Sequence, residues 1–486
     1  MPVSRSAQRH VLSRRVRRLT PKRALLLGAI LFSWSAAAFA QDASGSQGAN
    51  PYAGSVPATA TPGVLPLSML DAINQGLRQN LGVLLSNANT ELARGERWEE
   101  LSALLPHATA EPLIDASKVN LAEEGLSSLP IPGLTLPRSI GPFSYFDARA
   151  NVTQTIFDWQ SISNVRAAGQ SVKSSEFSYQ DARDLVVLAV GLTYLQAIAD
   201  EARIESTEAQ ANAAQAVYDQ ASDQVKAGTS APIDGLRTKV EWQTRQQEFI
   251  QATTDFAVEK LVLARAIGLP PGQEFELTDK SPYQPIEGMT VEAALTRAYA
   301  SRADYQAALA DQRAAAYSRQ AAVAGYFPSL NFSADYGIGG EHPSTETTVG
   351  DVRGTLIIPI FEGGVVHGDI LVADAKLKQS RERLDNLRAQ IDADVRTALL
   401  NLQSSTDLVE VARSNVDLAD QTLAQSRDRF SAGVADSVEV VQSEEAVASA
   451  HDQYIDSLFN DDSAKLSLVR AMGMAEEGVK EYFKGQ

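Results

Sequence analysis

The sequence predicts a mainly α-helical fold that carries a small β-sheet suited to a membrane, and three observations predict it. Long proline-free, alanine-rich stretches place apolar residues at helical spacing. Between them lie segments near ten residues long in which apolar and polar residues alternate. The landmarks of the first half also recur in the second. Ile156-Phe157-Asp158 and Ile360-Phe361-Glu362 stand about 205 positions apart, as do Ala266-Ile267-Gly268 and Ala471-Met472-Gly473. Ala72-Ile73 and Pro106 match Ala294-Leu295 and Pro328 at a spacing of about 222. A repeat this long is not a short solenoid unit. Each half is a large supersecondary assembly, and two similar halves predict a pseudo-symmetric ring or tube.

A targeting segment comes first. Arg5, Arg9, Arg14, Arg15, Arg17, Arg18, Lys22 and Arg23 form a basic region, Ala24 to Phe39 is apolar, and Ala38-Phe39-Ala40 reads as a cleavage site. The apolar stretch is shorter than the roughly 20 residues of a spanning helix. Residues 1–40 therefore read as an export leader. Arg14-Arg15 hints at twin-arginine export, but Arg17 stands where that signal prefers an apolar residue. The chain has a net charge of −17, and removing the leader's eight positive charges leaves −25. Such a chain is a poor partner for nucleic acid. It has no cysteine, which excludes disulfides, thiolate metal sites and a lipid-bearing cysteine. Residues 41–65, rich in Ser, Gly, Ala and Pro, cannot bury a core and read as a flexible lead-in.

Helices are expected over 68–105, 160–227 and 232–268, and again over 290–326, 364–430 and 437–473. In the second half Leu384, Leu387, Ile391, Val395, Ala398 and Leu402 step by three or four; in the first, Leu185, Leu188, Leu192, Leu195 and Ile198 do the same. Gly228 and Gly433 end the long helices, Pro232 suits the first turn of one restart, and Asp436 with Glu439 resembles a capping box at the other. Each half thus holds a helical hairpin with a tight tip. The long arm spans roughly 100 Å at about 1.5 Å per residue, and the two shorter helices placed end to end match it. A coiled-coil rod would present the same stripes.

Strands are expected where the period falls to two. Leu330, Phe332, Ala334, Tyr336 and Ile338 alternate with polar residues; so do Val352, Leu356, Ile358 and Ile360, and Phe146, Ala148, Ala150, Val152 and Ile156. A weaker run from Ala108 to Val119 is interrupted by Pro112. Phe143, Tyr145, Phe157 and Phe361 near strand ends suit a transmembrane barrel. An ordinary half-buried sheet would alternate likewise, and it is the export leader and strand length that favour the bilayer. Four strands cannot close a barrel, and an open edge in lipid leaves backbone groups unpaired at several kcal/mol each. Several copies must therefore contribute strands to one wall. Two copies give eight strands with a filled interior; three give twelve, enough for a lumen.

The junctions Gln154-Thr155-Ile156-Phe157-Asp158 and Pro359-Ile360-Phe361-Glu362-Gly363-Gly364, the Ala-Gly hairpin tips and the ending Ala266-Ile267-Gly268-Leu269-Pro270 together resemble the TolC-like outer-membrane efflux family. The likeness runs from about 66 to 473. It implies a homotrimer sharing one twelve-stranded barrel in outer-membrane lipid, above a long α-helical tunnel through the periplasm. The domains would be 66–269 and 290–474 as two repeats, 270–289 as an equatorial connection and 475–486 as a tail. It also implies a passive exit duct, without enzymatic activity or cofactor, for efflux or type I secretion. A periplasmic adaptor would join it to an inner-membrane RND, ABC or MFS transporter. The lipid-anchored branch of the family carries a cysteine that this chain lacks.

The resemblance also places candidate residues. Asp234 and Glu439, each six positions after a tip glycine, match acids that narrow the periplasmic aperture, where three copies of each would favour cations. Acids in a first helical turn also stabilise the helix dipole by about 0.3–1 kcal/mol, which is a sufficient reason for both. Phe430, Ala435 and Gln442 stand where a known relative has a tyrosine, an arginine and a second acid, so the closing network differs. Adaptor docking falls on the exposed tips, Lys226, Ala227, Gly228, Thr229 and Ser230 with Arg429, Phe430, Ser431, Ala432, Gly433, Val434 and Ala435.

Enzymatic constellations are missing from the sequence. His107, His342, His367 and His451 are isolated from one another, without zinc-site spacing. Gly337-Ile338-Gly339-Gly340 follows a strand but opens no helix, so it reads as a turn and not as a phosphate cradle. A non-transporting exported scaffold or adhesin is the competing reading.

Overall fold

The computed structural model describes residues 54–60, 62–123, 137–279, 288–341, 344 and 346–482. The leader expected at 1–40, most of the lead-in at 41–65, residues 280–287 of the connection and 483–486 of the tail lie outside these. In chain order the elements are β1 (Leu65–Leu67), α1 (Met69–Gln79), α2 (Leu81–Ser102), β2 (His107–Val119), β3 (Ile140–Phe157), α3 (Trp159–Lys226), α4 (Pro232–Ile267) and β4 (Phe275–Leu277). There follow α5 (Val291–Ser301), α6 (Ala303–Ala324), β5 (Ser329–Gly340), β6 (Thr347–Ile357), α7 (Val365–Ser431), α8 (Ser437–Ala471) and α9 (Ala475–Tyr482).

At 68 and 67 residues, α3 and α7 are each about 100 Å long. Asp158 starts α3 by accepting hydrogen bonds from the backbone amides of Gln160 and Ser161, whereas Gly364, with a left-handed φ of 89°, opens α7 without a side-chain cap. The shorter helices lie along the long ones. Thr90 of α2 donates to the Ser175 carbonyl of α3, and farther along Tyr218 of α3 stacks on Trp242 of α4 at 5.5 Å.

Expected as single helices, 68–105 and 290–326 are each broken. Asn80 is extended at φ −64°, ψ 128°, between α1 and α2, and Arg302 does the same between α5 and α6. The cause is the neighbouring helix end. Gly268, which closes α4, sits so close to the first break that a Cβ there would lie 2.7 Å from Gln79 Cβ; at Gly473, beyond α8, it would lie 2.5 Å from the Arg302 nitrogen. Each short helix therefore meets its partner end to end at the break, while α1 and α5 turn aside into the core.

That core is built twice. Ala72 and Ile73 of α1 pack with Val186 and Val190 of α3 and Leu263 and Ile267 of α4. Ala294 and Ala298 of α5 pack with Ile391, Val395, Leu468 and Met472. Each buried aliphatic side chain stabilises by about 1.5–3 kcal/mol. The most apolar stretch of α3 is long enough to cross a bilayer, yet Val186, Val187, Val190 and Tyr194 within that helix are spent on this packing. The Tyr194 hydroxyl lies 2.8 Å from the Leu67 carbonyl and 3.1 Å from Asp279, tying α3 to the end of the parallel β1–β4 pair where Leu67 stands opposite Leu277. Ala475 and Val479 of α9 complete the first core.

Four strands form one antiparallel sheet in the order β2-β3-β5-β6. Its register separates two faces. Ala108, Val152, Ala334 and Val352 share the apolar one, and Thr109, Asn151, Asp335 and Asp351 the polar one. Pro112 does not interrupt β2, which runs on through it with Pro112 opposite Ala148. Three expectations fail in detail. Gly337-Ile338-Gly339-Gly340, read as a turn, lies within β5 and pairs with β3. β6 ends at Ile357, which leaves Ile358 and Ile360 outside it. Ile156 has no partner in the β3–β5 ladder; a bulge there carries Phe157 opposite Leu330 instead.

Candidate functional site at the hairpin tips

The two hairpin tips are built alike. In the first, the Gly228 amide donates to the Val225 carbonyl and the Thr229 amide to Gln224; in the second, Gly433 donates to Phe430 and Val434 to Arg429. These bonds close the last turn as a Schellman motif, and the glycine takes the left-handed conformation at φ 72° and 71°. Lys226, Ala227, Gly228 and Thr229 are exposed, as are Arg429, Ser431, Ala432, Gly433 and Val434, while Ser230 and Ala435 are half-buried. Phe430 departs from the expectation of an exposed docking residue. Its ring is 5 % exposed, packed in an apolar cluster with Val217, Ala221, Leu423, Val440 and Val447. At that turn the aromatic side chain holds the two hairpins together.

Asp234 lies in the first turn of α4, and its carboxylate is fully engaged. Ser437 donates to Oδ1 and Ser230 to Oδ2, both at 2.8 Å, and the Arg237 guanidinium stands 3.6 Å away while donating to Ser437. The hydroxyls of Ser437 and then Ser230 hold this carboxyl below the ordinary carboxylate range, so it stays ionised. Glu439 pairs with Arg429 at 2.9 Å. The capping box is half formed: Asp436 accepts from the amides of Val438 and Glu439, but the Glu439 carboxylate turns to Arg429.

Asp234 and Glu439 are thus held by separate partners. Sequence reasoning missed Ser437, Arg237 and the pairing role of Arg429. Arg237 follows Asp234 by three positions, a legible helical spacing, but Ser437 reaches Asp234 from 203 residues away.

Behind the tips, polar contacts continue within each hairpin. Ser426 and Ser443 are hydrogen-bonded at 2.8 Å, Arg427 holds Glu444 at 2.9 Å, and Arg245 holds Glu241 at 2.7 Å. A cavity of about 200 Å³ lies among Gln210, Arg245, Arg427, Glu444 and His451. Burial pushes the Glu444 carboxyl up against the pull of Arg427. The arrangement offers charged walls and interlocked helix ends, and the groups gathered here act by charge and by fastening.

A family model described as outer membrane efflux protein matches residues 138–269 and 294–474, which is both halves of the duplication. The chain belongs to the outer membrane efflux protein family. Among relatives of this efflux protein, outer membrane protein TolC of Escherichia coli is 23% identical over 354 residues, covering 68% of this chain and 70% of that one. The pyoverdine export outer membrane protein OpmQ of Pseudomonas putida is 23% identical over 342 residues, again covering 68% and 70%. Among solved structures, the outer membrane protein VceC from Vibrio cholerae matches with a TM-score of 0.72 at 18% identity, covering 83% of this chain and 96% of the other. The efflux protein is therefore a passive duct of the outer membrane of a Gram-negative bacterium, not an enzyme. Its polar sheet face and its long hairpins are the parts of such a duct that one chain supplies.

Proposed function

We propose that three copies share one twelve-stranded barrel, continue it inward as a helical tunnel, and serve as the exit duct of a tripartite efflux or type I secretion system. The carrying observation is the sheet. One chain offers four strands with an apolar and a polar face and, among the described residues, no partner for the outer edges of β2 and β6. Twelve strands leave a lumen where eight fill with side chains. The division into repeats at 66–269 and 290–474, with 270–289 joining them and 475–486 trailing, is supported by the two matched segments. A periplasmic adaptor would dock on the exposed tips, Lys226 to Ser230 and Arg429 to Ala435 without Phe430, and connect the duct to an inner-membrane RND, ABC or MFS transporter. Export by a relative such as the pyoverdine export protein supports that reading.

Asp234 and Glu439 would form the narrow, negative mouth of the tunnel. Three copies of two carboxylates favour cations, and the pairing of Glu439 with Arg429 tempers that field. Conductance of the purified duct in planar bilayers tests the reading. The D234N/E439Q double variant is expected to lose most of its cation preference while keeping a wide pore, and an unchanged preference would remove both residues from the mouth. Failure of the unaltered protein to conduct would overturn the duct.

A further inference from the structure

Within the chain, β2 and β6 are each hydrogen-bonded along one edge, and the duplication states how their other edges are covered. Residues of β3 recur in β6 204 positions later: Asp147 and Arg149 become Asp351 and Arg353, and Ile156-Phe157-Asp158 becomes Ile360-Phe361-Glu362. Residues of β2 recur in β5 222 positions later, as Pro106 becomes Pro328 and the strand starts, His107 and Ser329, correspond. The register of the first hairpin checks both offsets together. Ala110 stands opposite Ala150 and Thr109 opposite Asn151. Shifted, these become Phe332 opposite Gly354 and Asn331 opposite Thr355, and both pairs are present. Side-chain contacts repeat as well: Arg149 lies 2.8 Å from Asp147, and Arg353 lies 2.8 Å from Asp351.

The junction between repeats inside one chain is the β3–β5 pair, where Arg149 stands opposite Gly337 and Asn151 opposite Asp335. The same offsets carry this junction onto β6 and the β2 of another copy. Arg353 then stands opposite Asp115 of the next copy, Thr355 opposite its Leu113 and Asp351 opposite its Ser117. We infer that β6 pairs antiparallel with β2 of a second copy of this chain in this register, with an ion pair between Arg353 and Asp115 at the seam. The inference rests on the multi-subunit barrel argued above.

Two further observations support it. Arg149 reaches across the internal junction to Asp335 at 3.2 Å. The residue equivalent to Asp335 is Leu113, which cannot accept that bond, and the acid stands instead two positions on, at Asp115, on the same face of the strand. The charge pairing is kept although the residue has moved. A slip of one position would set Arg353 against Ile114 or Ala116 on the opposite face, and a slip of two would set it against Leu113 or Ser117. Exposure also differs between the repeats. Ile156 and Phe157 are 54% and 43% exposed, with Phe157 covered by Leu330, whereas Ile360 and Phe361 are 95% and 87% exposed in the single chain. The second copy of the motif lacks the cover that a neighbouring β2 would bring.

Because the chain has no cysteine, oxidative cross-linking of paired substitutions reads the register directly. Directly opposed residues, about 4.5–5.5 Å apart at Cα, lie within disulfide reach. Inside one chain positions 115 and 353 are three strand spacings apart, about 14 Å, so any bridge is between copies. Copper-phenanthroline treatment of detergent-purified D115C/R353C is expected to give covalent oligomers that reductant dissolves, at least about tenfold faster than L113C/R353C or S117C/R353C. Fastest cross-linking by a shifted pair, or equal rates for all three, would overturn the register while leaving an oligomeric duct intact. A monomer by native mass spectrometry of the unaltered protein would overturn the duct reading and the seam together. Charge reversal gives an independent measurement: D115R and R353D should each lower the temperature at which the oligomer dissociates in detergent, and the double reversal should restore it. No restoration by the double variant would remove the ion pair.

Discussion

The hydroxyl of Ser437 donates a 2.8 Å hydrogen bond to the carboxylate of Asp234, fastening the start of α8 to the start of α4 across 203 residues of sequence. Ser437 is fully buried, so its alternative partners are few. The bond therefore couples the two hairpins at the place where the tunnel would narrow. Phe430 adds apolar packing to the same joint.

Removing that hydroxyl is expected to loosen the tips without unfolding the chain. A net hydrogen bond contributes about 0.5–1.5 kcal/mol, more when the acceptor is charged. S437A should therefore speed amide hydrogen exchange over residues 231–240 by up to about tenfold, while the cores around Val190 and Val395 stay protected. The Asp234 carboxyl is held below its ordinary range, so its stabilising contribution is present above about pH 4 and is lost as pH falls through the lowered folded value. Tip exchange in the unaltered protein should not respond to pH between 5 and 8 once intrinsic exchange rates are divided out. A response in that window would assign the coupling to another group.

Neutralising Arg429 separates charge at the mouth from stability of the fold. Its pair with Glu439 is half exposed, at 56% and 39%, and such pairs contribute about 0–1 kcal/mol. R429Q should leave thermal unfolding nearly unchanged. If Glu439 faces the conduction path, the same substitution should raise cation preference, measured as reversal potential across a salt gradient, by about twofold. An unchanged potential would place Glu439 away from the path.

Much of this fold was legible because helices and strands announce themselves locally. The bounds of α3, α4, α7 and α8 follow from the proline-free stretches, Pro232, and the tip glycines. The alternation over β5 survives intact. What was not legible depends on meetings between distant segments. Asn80 and Arg302 interrupt otherwise continuous helical patterns because another helix ends against each; Asn80 caps α2 by accepting from the Gly82 amide, a signal too common to mark a break alone, and Arg302 gives none. The Ile156 bulge appears only when β3 is laid on β5. At the tips, exposure was inferred for the whole turn. One position in it, Phe430, faces the other hairpin, a choice of helix face that sequence position alone leaves open. The positions of Asp234 and Glu439 could be chosen from the sequence; the partners that hold them could not.

The glycines at helix ends provide a graded test of the end-to-end contacts. Gly228, Gly268 and Gly473 share the same left-handed conformation, with φ between 72° and 73°. A side chain there is strained by about 1–2 kcal/mol whatever its surroundings. Gly228 faces open space, whereas a Cβ at Gly268 or Gly473 would approach other atoms to 2.7 and 2.5 Å. Urea unfolding in detergent should show G228A destabilised by about 1 kcal/mol and G268A and G473A by about 2–4 kcal/mol, since overpacking adds about 1–3 kcal/mol. Equal losses for all three would mean that the helix ends do not abut.

The half-buried carboxyl of Asp184 should make this protein gain stability on mild acidification, against the usual behaviour of paired carboxylates. Burial in α3 pushes its pKa up to about 6, opposed by Arg470 and reinforced by the nearby charges of Asp181 and Glu476. Its folded value lies above its unfolded value, so its contribution is fully present below about pH 4 and disappears as pH rises through about 6. A change of this size corresponds to about 3 kcal/mol in full. Solvent near a partly accessible side chain reduces it, most of the change falls between about pH 4 and 6, and about 1 kcal/mol is expected between pH 4.5 and 6.5. Burial also raises Asp181, Asp200 and Glu444, which add the same sign. D184N keeps the shape and removes the charge, so it should stabilise the protein at pH 6.5 and flatten the dependence between pH 4.5 and 6.5. The measurement is urea unfolding at both pH values for the two proteins. If D184N retains the full slope, the proton taken up on folding near pH 6 belongs to a different residue.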